Sequence, residues 1–166
     1  MKTLLFLFPV LLFCVGCKKI NEDYNLQRIK DAELIKELNT KAVDTLNIGS
    51  LKLVLSSWLD RNFMPVSPDD GMPLRSVVSL INIDSTDIPE NINLFTQYVL
   101  YNDSIWVGDF YPVNFPVPSY KITKTTIDGP KWGPKVYVTV IAKVHDYTYG
   151  KDYYLREKDV YINRSD

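Results

Sequence analysis

The stretch "KVYVTVIAKVHDY", Lys135 to Tyr147, constrains the fold most. Val136, Val138, Val140, Ala142 and Val144 recur at every second position, which places them on one face of a β-strand. The opposite face, Tyr137, Thr139, Ile141, Lys143 and His145, is mixed, as expected of a surface that meets solvent under partial cover. A strand with one apolar face must bury it against a second layer.

The same period runs through the chain from Asp44 onward. "DTLNI" and "LKLVLSSWL" flank Gly49-Ser50, a two-residue turn of the hairpin kind. "PVSPDDGMP" is a loop turning at Asp70-Gly71, "RSVVSLINI" a strand, and "DSTDIPEN" another loop. "LFTQYVLY" and "SIWVGDFY" flank Asn102-Asp103 and predict a further hairpin. "YKITKTTI" and "DYYLREKDVYINR" complete the series. No helical segment separates these strands, so the pattern excludes a parallel sheet. It predicts an all-β domain over residues 43–166, an antiparallel immunoglobulin-like β-sandwich of about seven strands. Trp58, Trp106 and Trp132 are each candidates for its central aromatic.

Before that domain the character changes. "DAELIKELNTKA" carries Leu34, Ile35, Leu38 and Ala42 on one helical stripe, with Asp31 placed to cap it, and predicts a short helix. Residues 18 to about 30 are polar and read as a tether. The N-terminus, "LLFLFPVLLFCVGCKK", is too short for a bilayer, which needs ~20 apolar residues. Lys2 before it and small Gly16 at its end give it the layout of a secretory signal.

Cys14-Val15-Gly16-Cys17 resembles the box of bacterial lipoprotein signals, with Cys14 where leucine is usual. That resemblance implies removal of residues 1–16 and lipidation of Cys17, with palmitate-type acyl chains anchoring residues 17 onward to a membrane, the outer membrane being the expected one. The rival reading is ordinary cleavage after Gly16, giving a soluble exported chain. The only cysteines are Cys14 and Cys17, so the domain holds neither a disulfide nor a cysteine-type zinc site, and its stability must come from a packed core.

The near balance of charge, net −1, gives no basic excess for nucleic acid. His145 is the single histidine. Asp146 beside it points to the other face of the strand, and no Gly-x-Ser-x-Gly elbow is present, so no nucleophile–base pair is predicted. "SPDDG" is too short for a calcium loop, and no phosphate-binding or dinucleotide motif occurs. No catalytic residue, metal or cofactor is therefore assigned.

Aromatic residues crowd the stretch from Phe95 to Tyr120. Exposed rings on a β-face can stack on sugars or fill a partner's pocket, and Tyr98, Trp106, Tyr111 and Tyr120 are the ligand-binding candidates there. The alternative is that these rings are divided between the core and cross-strand pairs. "DGPKWGPK", residues 128–135, fixes Trp132 between Gly-Pro breaks as a plug for one end of the domain. "RNFMP", residues 61–65, ends a strand, with Phe63 and Met64 expected to close the core and Arg61 to pair with a loop carboxylate.

Those two segments, with the leader and the length, resemble small lipoproteins of Bacteroidetes-type bacteria that carry one immunoglobulin-like domain. The triplets beginning at Asp44, Asp84 and Asp103 are similar to the Asp-Ser/Thr-apolar acceptors of O-glycosylation in that group. The expectation is a non-catalytic envelope module that binds a partner protein or a glycan. The alternatives are a structural accessory subunit of an envelope assembly and a carboxylate-dependent glycan hydrolase.

Overall fold

The structure, a computed structural model, describes residues 28–166. The signal, Cys17 and most of the tether lie outside the described residues. The elements are β1 (Arg28–Ile29), α1 (Ala32–Lys41), β2 (Leu46–Ile48), β3 (Leu51–Asn62), β4 (Leu74–Asn82), β5 (Ile92–Tyr101), β6 (Ser104–Asp109), β7 (Tyr111–Pro112), β8 (Lys121–Gly129), β9 (Tyr137–Asp146) and β10 (Lys151–Ser165). The described residues are all-β apart from α1, and no helix among them is long and apolar enough to cross a membrane.

Nine strands form one hydrogen-bonded path, β1-β6-β5-β9-β10-β3-β4-β8-β7, with β2 paired to β3 alongside it. Sheet A comprises β1, β6, β5, β9 and the first part of β10; sheet B comprises the last part of β10 with β3, β4, β8, β7 and β2. The two are one mixed, nearly closed sheet. This corrects the expected antiparallel immunoglobulin-like sandwich. The strand that overturns it is β10. It runs antiparallel to β9 as far as Tyr161, through a register shift between Glu157 and Val160 where Asp159 has φ +55°. Its last residues, Ile162 to Ser165, then pair in parallel with Leu59 to Asn62 of β3. A parallel pair needs a long connection, usually a helix. Here nearly the whole domain is that connection, so the absence of intervening helices excludes nothing.

The core lies between the two inner faces. From sheet B come Leu53, Leu55, Leu59, Leu74, Val78 and Leu80; from sheet A come Leu94, Val99, Trp106, Val140, Val144 and Leu155. Trp106 is the central aromatic, wholly buried, with Gly129 tight against its ring. Val138, Val140, Ala142 and Val144 face this core as their alternation requires, with Val136 partly buried at its edge.

The second seam, where β4 and β8 meet β5 and β6, has no backbone ladder. Side chains cross it instead: Ser76 Oγ donates to Gln97 Oε1 at 2.6 Å, Lys124 Nζ to the Leu94 carbonyl at 2.9 Å, and Thr126 Oγ1 to the Asp109 carbonyl at 3.1 Å. Burial lowers the pKa of the Lys124 ammonium. Gly108 permits the approach, since a Cβ there would lie 2.4 Å from Thr126 Cγ2.

Helix α1 begins where Asp31 Oδ1 accepts from the Leu34 N–H at 2.8 Å, an N-cap that satisfies one free backbone donor. Leu38 and Ala42 pack with Leu100, Ile105 and Ile141 on the outer face of sheet A. Residues 28–42, read from the sequence as the end of a tether and a short helix before the domain, are thus packed onto it, and the cover over Ile141 is the helix.

At one end Arg61 gathers two loops. Its Nε donates to the Met72 carbonyl at 2.5 Å, a second nitrogen to the Asp70 carbonyl, and the third reaches the Trp132 and Gly133 carbonyls at 3.4 Å. Arg61 was expected to pair with a loop carboxylate; it binds backbone oxygens, while the Asp70 carboxylate takes Lys131 at 2.6 Å. Trp132 plugs this end against Tyr101, ring centroids 5.5 Å apart. Phe63 is half-buried between the Arg61 and Arg164 guanidinium groups, whereas Met64 is exposed and closes nothing.

At the bulge of β10, Glu157 is half-buried beside Ser57. Burial pushes its carboxyl pKa up, and Ser57 offsets only part of that. A carboxyl whose folded pKa exceeds its unfolded value, about 4.3, favours folding below that pH and loses this contribution as pH rises through the folded pKa. Glu157→Gln is therefore expected to raise the melting temperature at pH 7, with the gain shrinking near pH 4. Thermal denaturation at both pH values measures it.

Candidate functional site

The two outer faces differ in one respect. Sheet A carries α1 across its middle, while no element packs on the outer face of sheet B among the described residues. Registers place one row of side chains across four strands of that open face. Trp58 of β3 is opposite Val77 of β4, Val77 opposite Thr125 of β8, and Thr125 opposite Tyr111 of β7. Directly paired residues share a face, so all four point outward. With neighbouring strands ~4.8 Å apart, the two rings stand about 14 Å apart. Trp58 is 41 % exposed and Tyr111 53 %, with only half-buried Val77 and Thr125 between them. The next row is hydroxyl-bearing: Ser56, Ser79 and Thr123, with Ser79 and Thr123 hydrogen-bonded at 2.8 Å.

On the other side of Trp58 the face dips into a recess of about 260 Å³ lined by Asp60, Asn62, Met72, Arg75, Ile127 and Asp128. Asp60 follows Trp58 by two residues, hence on the same face. Its carboxylate is wholly buried, with Oδ1 accepting from Ser165 Oγ at 2.8 Å. Arg75 lies opposite it on β4, its guanidinium 3.8 Å from Asp60 Oδ2 and 5.3 Å from the centre of the Trp58 ring. At 3.8 Å the ion pair is too long for a direct hydrogen bond. Three other recesses, of about 260, 400 and 380 Å³, lie beside α1, and none of them has a fully buried charged group in its wall.

The four aromatic candidates do not converge. Tyr111 is on the row just described. Trp106 is wholly buried and serves the core, contrary to the expectation of a ligand contact. Tyr98 lies at the edge of α1 on sheet A, 6.3 Å from the Tyr154 ring, and burial raises its hydroxyl pKa. Tyr120 is half-buried just before β8, with Lys121 Nζ 5.4 Å from its ring centre. The expectation overlooked Trp58, although a signal was present. Leu51, Leu53, Leu55 and Leu59 set the inward phase of β3, and Trp58 is out of phase with them.

His145 is placed on sheet A at the β9–β10 hairpin, where its Nδ1 is 2.6 Å from Asp152 Oδ1. Lys143 holds the other oxygen of Asp152 at 2.7 Å, and the Lys143 and His145 bonds together keep that carboxyl below the usual range. Phe95 and Tyr147 pack edge-on to the imidazole. This is a cross-strand ion-pair and aromatic cluster with no serine or cysteine nucleophile in it. No group of three or more His, Cys, Asp or Glu close enough to hold a metal occurs among the described residues. Of the acceptor-like triplets, Thr45 and Ser85 are exposed, while the Ser104 hydroxyl is buried against Asp103.

No family model matches the chain, and no curated protein or solved structure is found to be similar to it.

Proposed function

We propose that the chain is a cell-envelope lipoprotein, held by lipid at Cys17, whose β-domain is a non-catalytic binding module working through the outer face of sheet B. The observation that carries the reading is the uncovered row from Trp58 to Tyr111 beside the Asp60 recess. Exposed rings held on a rigid sheet lose little freedom on binding, and Trp and Tyr are the side chains that most often dominate recognition surfaces. The leader supports the location, because a lipidated cysteine after a secretory signal fixes a domain at a membrane firmly once two or more acyl chains are attached.

The accessory-subunit reading draws on Met64, Val66 and Met72, exposed on the loop between β3 and β4 at the border of the same face. It predicts that envelope association depends on those residues and not on Trp58.

The two halves of the proposal separate in one experiment. Full-length wild type is expected to partition into detergent and Cys17→Ala into water. The Cys17→Ala form should still sediment with isolated envelopes, and adding Trp58→Ala should weaken that sedimentation about tenfold. Wild type in the aqueous phase would remove the anchor. Sedimentation indifferent to Trp58 would remove the binding face.

A further inference from the structure

We infer that the occupant of the sheet B face is a neutral glycan, with one sugar ring in the Asp60 recess and the following rings along the Trp58–Tyr111 row. This inference rests on the binding-module reading above and names the chemistry of its partner.

The recess is matched to a hydroxyl group. Asp60 is an acceptor fixed by Ser165, and Arg75 is a donor fixed by its stacking on Trp58. They face each other at 3.8 Å without bonding directly. A hydroxyl donates and accepts at once, so it can bond both; an alkyl group can bond neither. A carboxylate ligand would meet Asp60, and an ammonium would meet Arg75. The pair therefore selects a neutral polar group over either ion. Hydrogen bonds to charged partners are the stronger kind, and leaving them unmade on binding is costly, so an apolar ligand is disfavoured. Asn62 and Asp128 add further polar groups to the wall, while Met72, Pro73 and Ile127 give it the apolar surface on which the C–H face of a sugar ring can pack. The volume, about 260 Å³, falls just below the ~300–1,000 Å³ of pockets that enclose drug-sized ligands. That suits one ring with the rest of the ligand lying outside.

The rest of the face suits such a ligand. Sugar rings present apolar C–H faces, and these pack on aromatic rings while their hydroxyls stay at the edge. Trp58 adjoins the recess, and Tyr111 follows about 14 Å along the row. Val77 and Thr125 between them are low, so a chain of rings can lie flat across the strands. Ser56, Ser79 and Thr123 run parallel to this track and supply hydroxyls to its edge.

Native electrophoresis of the full-length Cys17→Ala protein in gels cast with soluble starch, xyloglucan, galactomannan or yeast mannan tests the inference. Retardation is expected in at least one gel. Trp58→Ala, Tyr111→Ala and Arg75→Gln should each weaken it about tenfold, and Tyr149→Ala, exposed on the far hairpin, should leave it unchanged. Melting curves confirm that each variant is folded. Unretarded migration in all four gels, or retardation indifferent to Trp58→Ala, overturns the glycan. If sedimentation with envelopes still depends on Trp58 in that case, the binding module stands and its partner is not a glycan. Shortening of the polysaccharide by the wild-type protein overturns the non-catalytic reading.

Discussion

Replacing Trp106 with alanine is expected to destabilise the domain by about 3–5 kcal/mol, the range for emptying a large aromatic site in a packed core. The ring is wholly buried between the two inner faces of the sheet, where neighbouring side chains cannot collapse into so large a space without bending strands. β8 approaches the ring closely at Gly129. A Cβ on Gly129 would lie 2.7–2.8 Å from three atoms of the indole, and the ring has no exposed side toward which to move. Gly129→Ala should therefore also destabilise, through overpacking of about 1–3 kcal/mol. The two effects share one cause, so they should not add. In Gly129→Ala combined with Trp106→Phe, the smaller ring makes room for the new methyl group, and the pair should cost less than the sum of the singles. Urea unfolding of the four proteins measures the coupling, and strict additivity would mean that the ring and Gly129 do not meet.

The second large effect is expected at Arg61. Its guanidinium holds carbonyls from the 65–73 loop and the 130–135 loop, and burial lowers its pKa. Arg61→Met keeps much of the volume and removes every donor, leaving several inward-facing carbonyls without partners. The expected loss is roughly 2–4 kcal/mol, a fall in melting temperature of about 10 °C. Arg61→Lys should not restore it, because one ammonium cannot span the carbonyls that a rigid fork reaches. The Asp70–Lys131 ion pair links the same two loops, but it is solvent-exposed and worth at most about 1 kcal/mol. Lys131→Ala should therefore have little effect. A mild Arg61→Met phenotype would place the strength of this end in Trp132 instead.

These two sites illustrate what sequence can and cannot reveal here. Local chemistry was legible. Asp31 caps α1, Gly49 and Asn102 turn their hairpins with positive φ, and the alternation of β9 gives its inner and outer faces correctly. Each of these is decided within a few residues. The path of β10 was not legible, because its second partner is the first long strand of the chain, and nothing in an alternating pattern names a distant partner. The same reason hid the candidate site. Trp58, Val77, Thr125 and Tyr111 form a row only through three strand registers, and the crowding of aromatics from Phe95 to Tyr120 drew attention to rings that the fold sends in different directions. Trp106, inside that stretch, is core; Trp58, outside it, is on the surface.

Hydroxyl-radical footprinting of the wild-type protein, on intact cells and after purification, tests the central claim most directly. Oxidation of Trp58 and Tyr111 is expected to fall several-fold on cells, while Tyr137 and Tyr149, exposed elsewhere, are oxidised equally in both settings. Equal oxidation of Trp58 and Tyr111 on cells and in solution would mean that the open face of sheet B is not occupied where the protein works.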